Sequence, residues 1–152
     1  MSLTPMPVPA DLSPVFPDDL VQVVIKSFGY GHAPAPRADI TLDTRTSLRN
    51  PHHDPAMRYL TGLDMAVRSH VMTTPGATGM LRNLAAMVTA MLDDFVNAQG
   101  RVVRVAIGCV GGRHRSVALA EELAASLRAD GVGVEVDHRD IAKPVLDKGA
   151  HR

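Results

Sequence analysis

The chain has 152 residues, 45% of them hydrophobic, and its sixteen Lys and Arg balance sixteen Asp and Glu, so it fits one domain with a core that needs no metal or disulfide and lacks the overall positive field of a strongly nucleic-acid-binding protein. Its one cysteine, Cys109, excludes an internal disulfide and points to a reducing compartment. No apolar run reaches membrane-spanning length and no signal-peptide pattern opens the chain, so the expected location is the cytoplasm, and 3% aromatic residues exclude an ordinary stacking surface for single strands.

Residues 1–19 hold Pro5, Pro7, Pro9, Pro14 and Pro17 and read as an extended, flexible arm. From Leu20 an apolar, β-rich run predicts a buried first strand ending near Phe28-Gly29-Tyr30-Gly31. A proline-punctuated loop follows, then a short second strand, Ile40-Thr41-Leu42-Asp43, closing on a carboxylate with Arg45 and Arg49 just beyond. Residues 44–61 show no periodicity, and Pro51 and Pro55 disfavour helix before them. Long structureless loops in compact domains are often functional, which makes His52, His53 and Asp54 candidates for lining a site. A metal cluster is not expected there, because adjacent residues seldom converge on one ion, and His53 reads as exposed loop.

A short helix is predicted from Thr61-Gly62-Leu63-Asp64 to Val71, and a longer one from Thr78 to Ala98 with Leu81, Leu84, Ala85, Val88 and Leu92 on its core stripe. Met65, Met72, Met80, Met87 and Met91 read as core filling. The run Val102–Ile107 predicts a strand, and Arg115–Ala129 a helix stopped by Asp130-Gly131. Val132–His138 alternates as a last strand, parallel to its predecessor if the unit is a right-handed β-α-β crossover. The fold class is therefore α/β, a mostly parallel sheet with flanking helices and ligands expected at the carboxyl ends of the strands. The end of the chain, 143–152, reads as a flexible, solvated tail.

Between strand and helix lies Ile107-Gly108-Cys109-Val110-Gly111-Gly112-Arg113-His114-Arg115-Ser116. A loop turning from a buried strand into a helix points free backbone N–H groups at one spot, and the helix dipole adds positive potential there. Gly111 and Gly112 allow close approach, and Arg113, His114 and Arg115 offer up to three cations for phosphate oxygens. The simpler alternative is an ordinary connection with solvated basic residues.

The segment Cys109-Val110-Gly111-Gly112-Arg113-His114-Arg115-Ser116 resembles the carboxyl-terminal domain of RapZ-type (YvcJ family) RNase adapter proteins. Ser27-Phe28-Gly29-Tyr30, Asp43-Thr44-Arg45, Asn50-Pro51-His52, Asp54-Pro55, Thr61-Gly62-Leu63-Asp64 and His138-Arg139 agree in order, so the resemblance spans residues 21–142 within a domain of 20–142. The family joins this domain to a P-loop ATPase-like half. No G-x-x-x-x-G-K-[ST] occurs in this sequence, so a stand-alone domain without nucleotide hydrolysis is expected.

The resemblance implies a pocket for a phosphorylated amino sugar, glucosamine-6-phosphate in enterobacterial members, coupled to small regulatory RNAs. It would take Asp43 and His52 from the second-strand region and Val110, Gly111, His114 and Arg115 from the loop, with Gly112 beside them. Asp43 would accept from sugar hydroxyls or pair with an ammonium. Val110 stands where enterobacterial members carry Thr. The expected function is a regulatory or sensor domain for a phosphorylated metabolite, with a protein or RNA partner, no cofactor and no metal; a homo-oligomer is compatible with the sequence.

A second reading is enzymatic. Cys109 and Arg115 are spaced as C-x5-R with Ser116 next, the order of cysteine-dependent phosphatases. Cys109 would be the thiolate nucleophile, Arg115 the phosphate cradle, and Asp43 or Asp54 the general acid. Gly108 precedes the cysteine where that pattern has His, and a buried, unreactive Cys109 is the simpler alternative.

Overall fold

A computed structural model describes residues 20–95 and 102–146. The proline-rich segment 1–19 and residues 147–152 lie outside the described residues, as does the end predicted for the long helix at Ala98. In chain order the elements are β1 (Val23–Gly29), β2 (Ile40–Asp43), a 3-10 turn (Pro51–His53), α1 (Met65–Met72), α2 (Ala77–Phe95), β3 (Val103–Cys109), α3 (Arg115–Ala129) and β4 (Val134–His138).

The four strands form one sheet in the order β2-β3-β1-β4, with every pairing parallel. Strand periodicity sends Val23 and Ile25 of β1 and Val103, Val105 and Ile107 of β3 to the same face, where they meet Val67 and Val71 of α1, Val88 of α2 and Leu119, Leu123 and Leu127 of α3. Each of these side chains, taken fully out of water, stabilises the domain by roughly 1.5–3 kcal/mol before conformational entropy is counted. All three helices thus lie against one apolar layer. The opposite face bears Lys26, Arg104 and Asp137, with a cross-strand Lys26–Asp137 pair at 3.4 Å.

Several boundaries differ from the sequence expectation. Leu20 and Val21 are exposed, and β1 begins at Val23, where pairing with both β3 and β4 starts. The first helix begins at Met65 rather than Thr61, because the Gly62 N–H is held by the Arg113 carbonyl at 2.9 Å and the Asp64 carboxylate turns back to the Thr61 N–H. Within the 44–61 loop, Asn50 caps the 3-10 turn by accepting the His52 N–H at 3.1 Å. Met72, Met80 and Met91 pack against the core as expected, whereas Met65 and Met87 are exposed.

Strand β4 is parallel as predicted, but it pairs with β1, not with β3, its predecessor in sequence. This order has a functional consequence. The chain leaving β1 travels past β3 to β2, while the chain leaving β3 crosses over β1 to β4. The carboxyl ends of β1 and β3 therefore flank a topological switch point, the position where open parallel sheets place ligands.

Candidate functional site

The loop after β3 lies at that switch point and is zipped to the end of β1. The N–H groups of Tyr30 and Gly31 donate to the carbonyls of Cys109 and Val110 at 2.9 and 2.8 Å. The approach requires glycine on both sides: a Cβ on Gly29 would stand 2.5 Å from the Gly111 carbonyl carbon, and one on Gly112, where φ is +66°, would stand 2.6 Å from the Gly29 nitrogen. The β1 side of the loop is closed. Its other side faces the end of β2, where the Thr44 N–H and hydroxyl both donate to the Gly108 carbonyl at 2.8 Å.

Arg115, the first residue of α3, is 3% exposed. One Nη donates to the Arg45 carbonyl at 2.7 Å, tying the helix start to the turn after β2, while Nε has no hydrogen-bond partner. Burial pulls the guanidinium pKa down, and the neighbouring Cys109 and Asp43 oppose that shift. Arg115 remains protonated at any working pH. The result is a fixed cation beside the glycine loop with donor capacity to spare.

Asp43 and Arg45 form the outer wall. The carboxylate takes the Arg45 Nη at 2.7 Å, Nε at 3.0 and 3.1 Å, and the Arg45 backbone N–H at 2.9 Å. The Arg45 bonds, outweighing desolvation, hold the carboxyl below the usual range for Asp, with Arg115 adding to the same shift. The Arg45 guanidinium lies 3.9 Å over the Tyr30 ring. Burial and the Asp43 charge push the Tyr30 phenol up.

The three neighbouring basic residues of the loop divide into separate roles. Arg115 turns toward the end of β2, where it meets the Arg45 carbonyl. Arg113 is exported to the adjacent segment, donating to the Leu60 carbonyl at 2.9 Å, to that of Ile141 at 3.5 Å and to the Tyr59 carbonyl. His114 is not the cation the sequence suggested: it is 4% exposed, its Nε2 meets the carbonyls of Met57 and Arg58 at 3.1 and 3.0 Å, and burial lowers its pKa to about 4. It is a neutral strut that fastens the 57–60 segment under the loop.

His52 is also buried, at 3% exposed, close enough to His114 to contribute to the lowering of its pKa, and its carbonyl accepts from Arg58 Nε at 2.9 Å. His53 and Asp54 are exposed, and the Asp54 carboxylate accepts the Ala56 N–H. Val110 is nearly buried and Gly111 half-buried. The structure therefore brings Asp43, Arg45 and Arg115 within electrostatic reach of one another beside the loop of Gly111 and Gly112, buries His52 and His114 near each other, and leaves Asp54 exposed.

Cys109 is 2% exposed. Its Sγ accepts the Gly112 N–H at 3.2 Å and lies 3.1 Å from the Ser116 hydroxyl. Gly108 before it has a packing reason, since a Cβ would stand 2.4 Å from Phe28 Cζ and 2.6 Å from Tyr30 Cε2. No histidine fits there. Among the described residues no group of three or more His, Cys, Asp or Glu is placed to hold a metal ion, and no helix is long and apolar enough to cross a membrane.

Tyr30, Thr44 and Arg45 join the site beyond the residues expected from sequence. Arg45 carried a signal, a cation two residues after a strand-end carboxylate. Tyr30 and Thr44 carried none, because their roles depend on which strands become neighbours.

Comparison with known proteins adds the relationship. The chain is 42% identical over 123 residues to a nucleotide-binding protein of Parafrankia sp., covering 81% of this chain and 42% of that protein, and 42% identical with the same coverage to one of Frankia alni. A nucleotide-binding protein of Rhodospirillum centenum is 41% identical over 124 residues, 82% of this chain and 37% of its own length. The chain thus spans about two fifths of the length of these curated relatives. The family model of the RapZ C-terminal domain matches residues 21–142, and the chain belongs to the RapZ carboxyl-terminal domain family.

Proposed function

We propose that the domain is a receptor for a phosphorylated small metabolite, a sugar phosphate such as glucosamine-6-phosphate, seated between the glycine loop and the turn after β2. The carrying observation is Arg115, a guanidinium 3% exposed with an unbonded Nε beside Asp43 and the loop. A buried donor without a partner is costly, and an anion at this point would satisfy it. The N–H groups of Gly111 and of the first turn of α3 supply the remaining donors for phosphate oxygens, while Asp43 serves the hydroxyl or ammonium end of the ligand. The relatives are named nucleotide-binding proteins, which supports a phosphate-bearing ligand. Arg113 and His114 bond the loop to the backbone carbonyls of residues 57–60, a segment whose Tyr59 and Leu60 side chains are exposed, so occupancy of the site would be transmitted to a protein or RNA partner docking on that segment.

Calorimetry with glucosamine-6-phosphate, glucosamine and inorganic phosphate tests the reading. Binding of the sugar phosphate that is lost in Arg115→Ala supports it; silence with all three ligands refutes it. An RNA partner predicts retention in a gel shift that weakens as salt rises.

A second reading, a cysteine-dependent phosphatase, is favoured by one observation: the Gly112 N–H and the Ser116 hydroxyl converge on Cys109 Sγ. The burial of the sulfur and the glycine before it favour a receptor. Release of phosphate from an aryl phosphate, abolished in Cys109→Ser, would reverse that preference.

A further inference from the structure

Arg45 joins three residues of the site directly and the glycine loop through one of them. Its guanidinium is bonded to both oxygens of Asp43, it stacks on Tyr30, its carbonyl holds the Arg115 guanidinium, and the Tyr30 N–H anchors that aromatic platform to the Cys109 carbonyl. In this arrangement the carboxylate that would receive a ligand is already taken by the protein's own cation.

The pair is poised for exchange. Both side chains are about two fifths exposed, 41% for Arg45 and 44% for Asp43, and ion pairs open to water are weak. Arg45 has a second support, the face of Tyr30, which stays in place if the carboxylate lets go. Arg115 and Arg45 are like charges near each other, so an anion between them would relieve repulsion as well as form bonds.

We propose that Arg45 is a gating residue for Asp43: an anion seated on the glycine loop draws the Arg45 guanidinium off the carboxylate, which is thereby released to bind the polar remainder of the same ligand. The proposal rests on the reading of the loop as a phosphate site. It makes the two ends of the ligand cooperative. A ligand without phosphate must break the Asp43–Arg45 pair with nothing to offer Arg45, whereas a phosphorylated one gives each half of the pair a new partner. A selectivity for phosphorylated over unphosphorylated ligands follows that exceeds what the phosphate contacts at Arg115 provide.

The test uses the full chain with the Arg45 Nε–Hε and the Gly111 and Gly112 amides followed by NMR during titration with inorganic phosphate, and calorimetry of glucosamine and glucosamine-6-phosphate on wild type and Arg45→Ala. The expected result is that phosphate shifts the amides and Arg45 together. Arg45→Ala binds glucosamine roughly 3–10-fold more tightly and glucosamine-6-phosphate roughly 10-fold more weakly, since a competitor and a charge-assisted partner are removed at once. Amide shifts with Arg45 unmoved, or equal weakening of both ligands in Arg45→Ala, overturn the gate and leave the phosphate site standing. No response to any of the three probes overturns both.

Discussion

The buried carboxylate of Asp140 accepts the backbone N–H of Gly29 at 2.7 Å, joining the segment after β4 to the end of β1 directly behind the glycine loop. Arg139 Nη2 and Lys143 Nζ reach the same carboxylate at 2.9 and 2.6 Å, and Arg139 also holds the carbonyls of Ala33 and Pro34. Lys143, the first residue of the end expected to be a solvated tail, thus helps hold the carboxylate that fixes the loop. Asp140→Ala leaves the Gly29 N–H and two cations unmatched, and we expect a loss of ~2–4 kcal/mol by urea denaturation, below that of a fully buried pair because Arg139 and Lys143 reach water.

The same group sets acid stability. Burial opposes ionisation of Asp140, but bonds from Arg139, Lys143 and the Gly29 N–H outweigh it and hold the pKa at about 2. A carboxyl lowered in the folded state gives stability that is full above its unfolded pKa, near 3.9, and lost as pH falls toward about 2. The urea midpoint of the wild type is expected to drop across that window, and Asp140→Asn to lose this part of the dependence.

His114 predicts a second window. Its pKa is lowered from 6.5 to about 4, mainly by burial, so from pH 6.5 downward the unfolded chain takes a proton that the folded chain refuses. Stability falls between those values by on the order of 3 kcal/mol in total. His114→Gln keeps a donor for the 57–58 carbonyls and removes the titration; its denaturation midpoint is expected to be flatter between pH 6.5 and 4.

Two glycines with positive φ separate packing from backbone strain. Gly112→Ala meets the Gly29 nitrogen at 2.6 Å and Asp140 Cβ at 2.8 Å, with φ at +66°; we expect ~2–4 kcal/mol of destabilisation and loss of ligand binding. Gly131→Ala, at φ +81° with nothing within 4 Å, is expected to cost about 1 kcal/mol and leave binding intact. Thermal unfolding and calorimetry on both variants check the contrast.

Arg115→Lys keeps the charge but removes the planar fork, one arm of which holds the Arg45 carbonyl while Nε is left to donate. Binding of glucosamine-6-phosphate is expected to weaken roughly 10-fold or more with the fold retained. Calorimetry beside a thermal melt distinguishes this from unfolding.

Much of this was legible along the chain. The helix Arg115–Ala129 shows its buried stripe, Val117, Ala120, Leu123, Ala124 and Leu127, by periodicity alone, and the strand–glycine loop–helix junction shows by composition, because both depend on residues adjacent in sequence. Asp43 was legible as a carboxylate ending a strand. What the neighbouring residues do was not. His114 and Arg113 look like loop cations next to Arg115, and only the position of the 57–60 carbonyls makes one a neutral strut and the other an anchor.

Local pattern therefore determined the α/β class, the place of the glycine loop and the family to which the chain belongs, since hydrophobic period, turn chemistry and motif spacing are short-range properties. The tertiary structure decided the strand order, which puts β1 and not β2 between β3 and β4, and with it which strand ends flank the loop. Contacts separated by 111 residues, such as Gly29 with Asp140, arise from parallel crossovers whose partners no local window can specify.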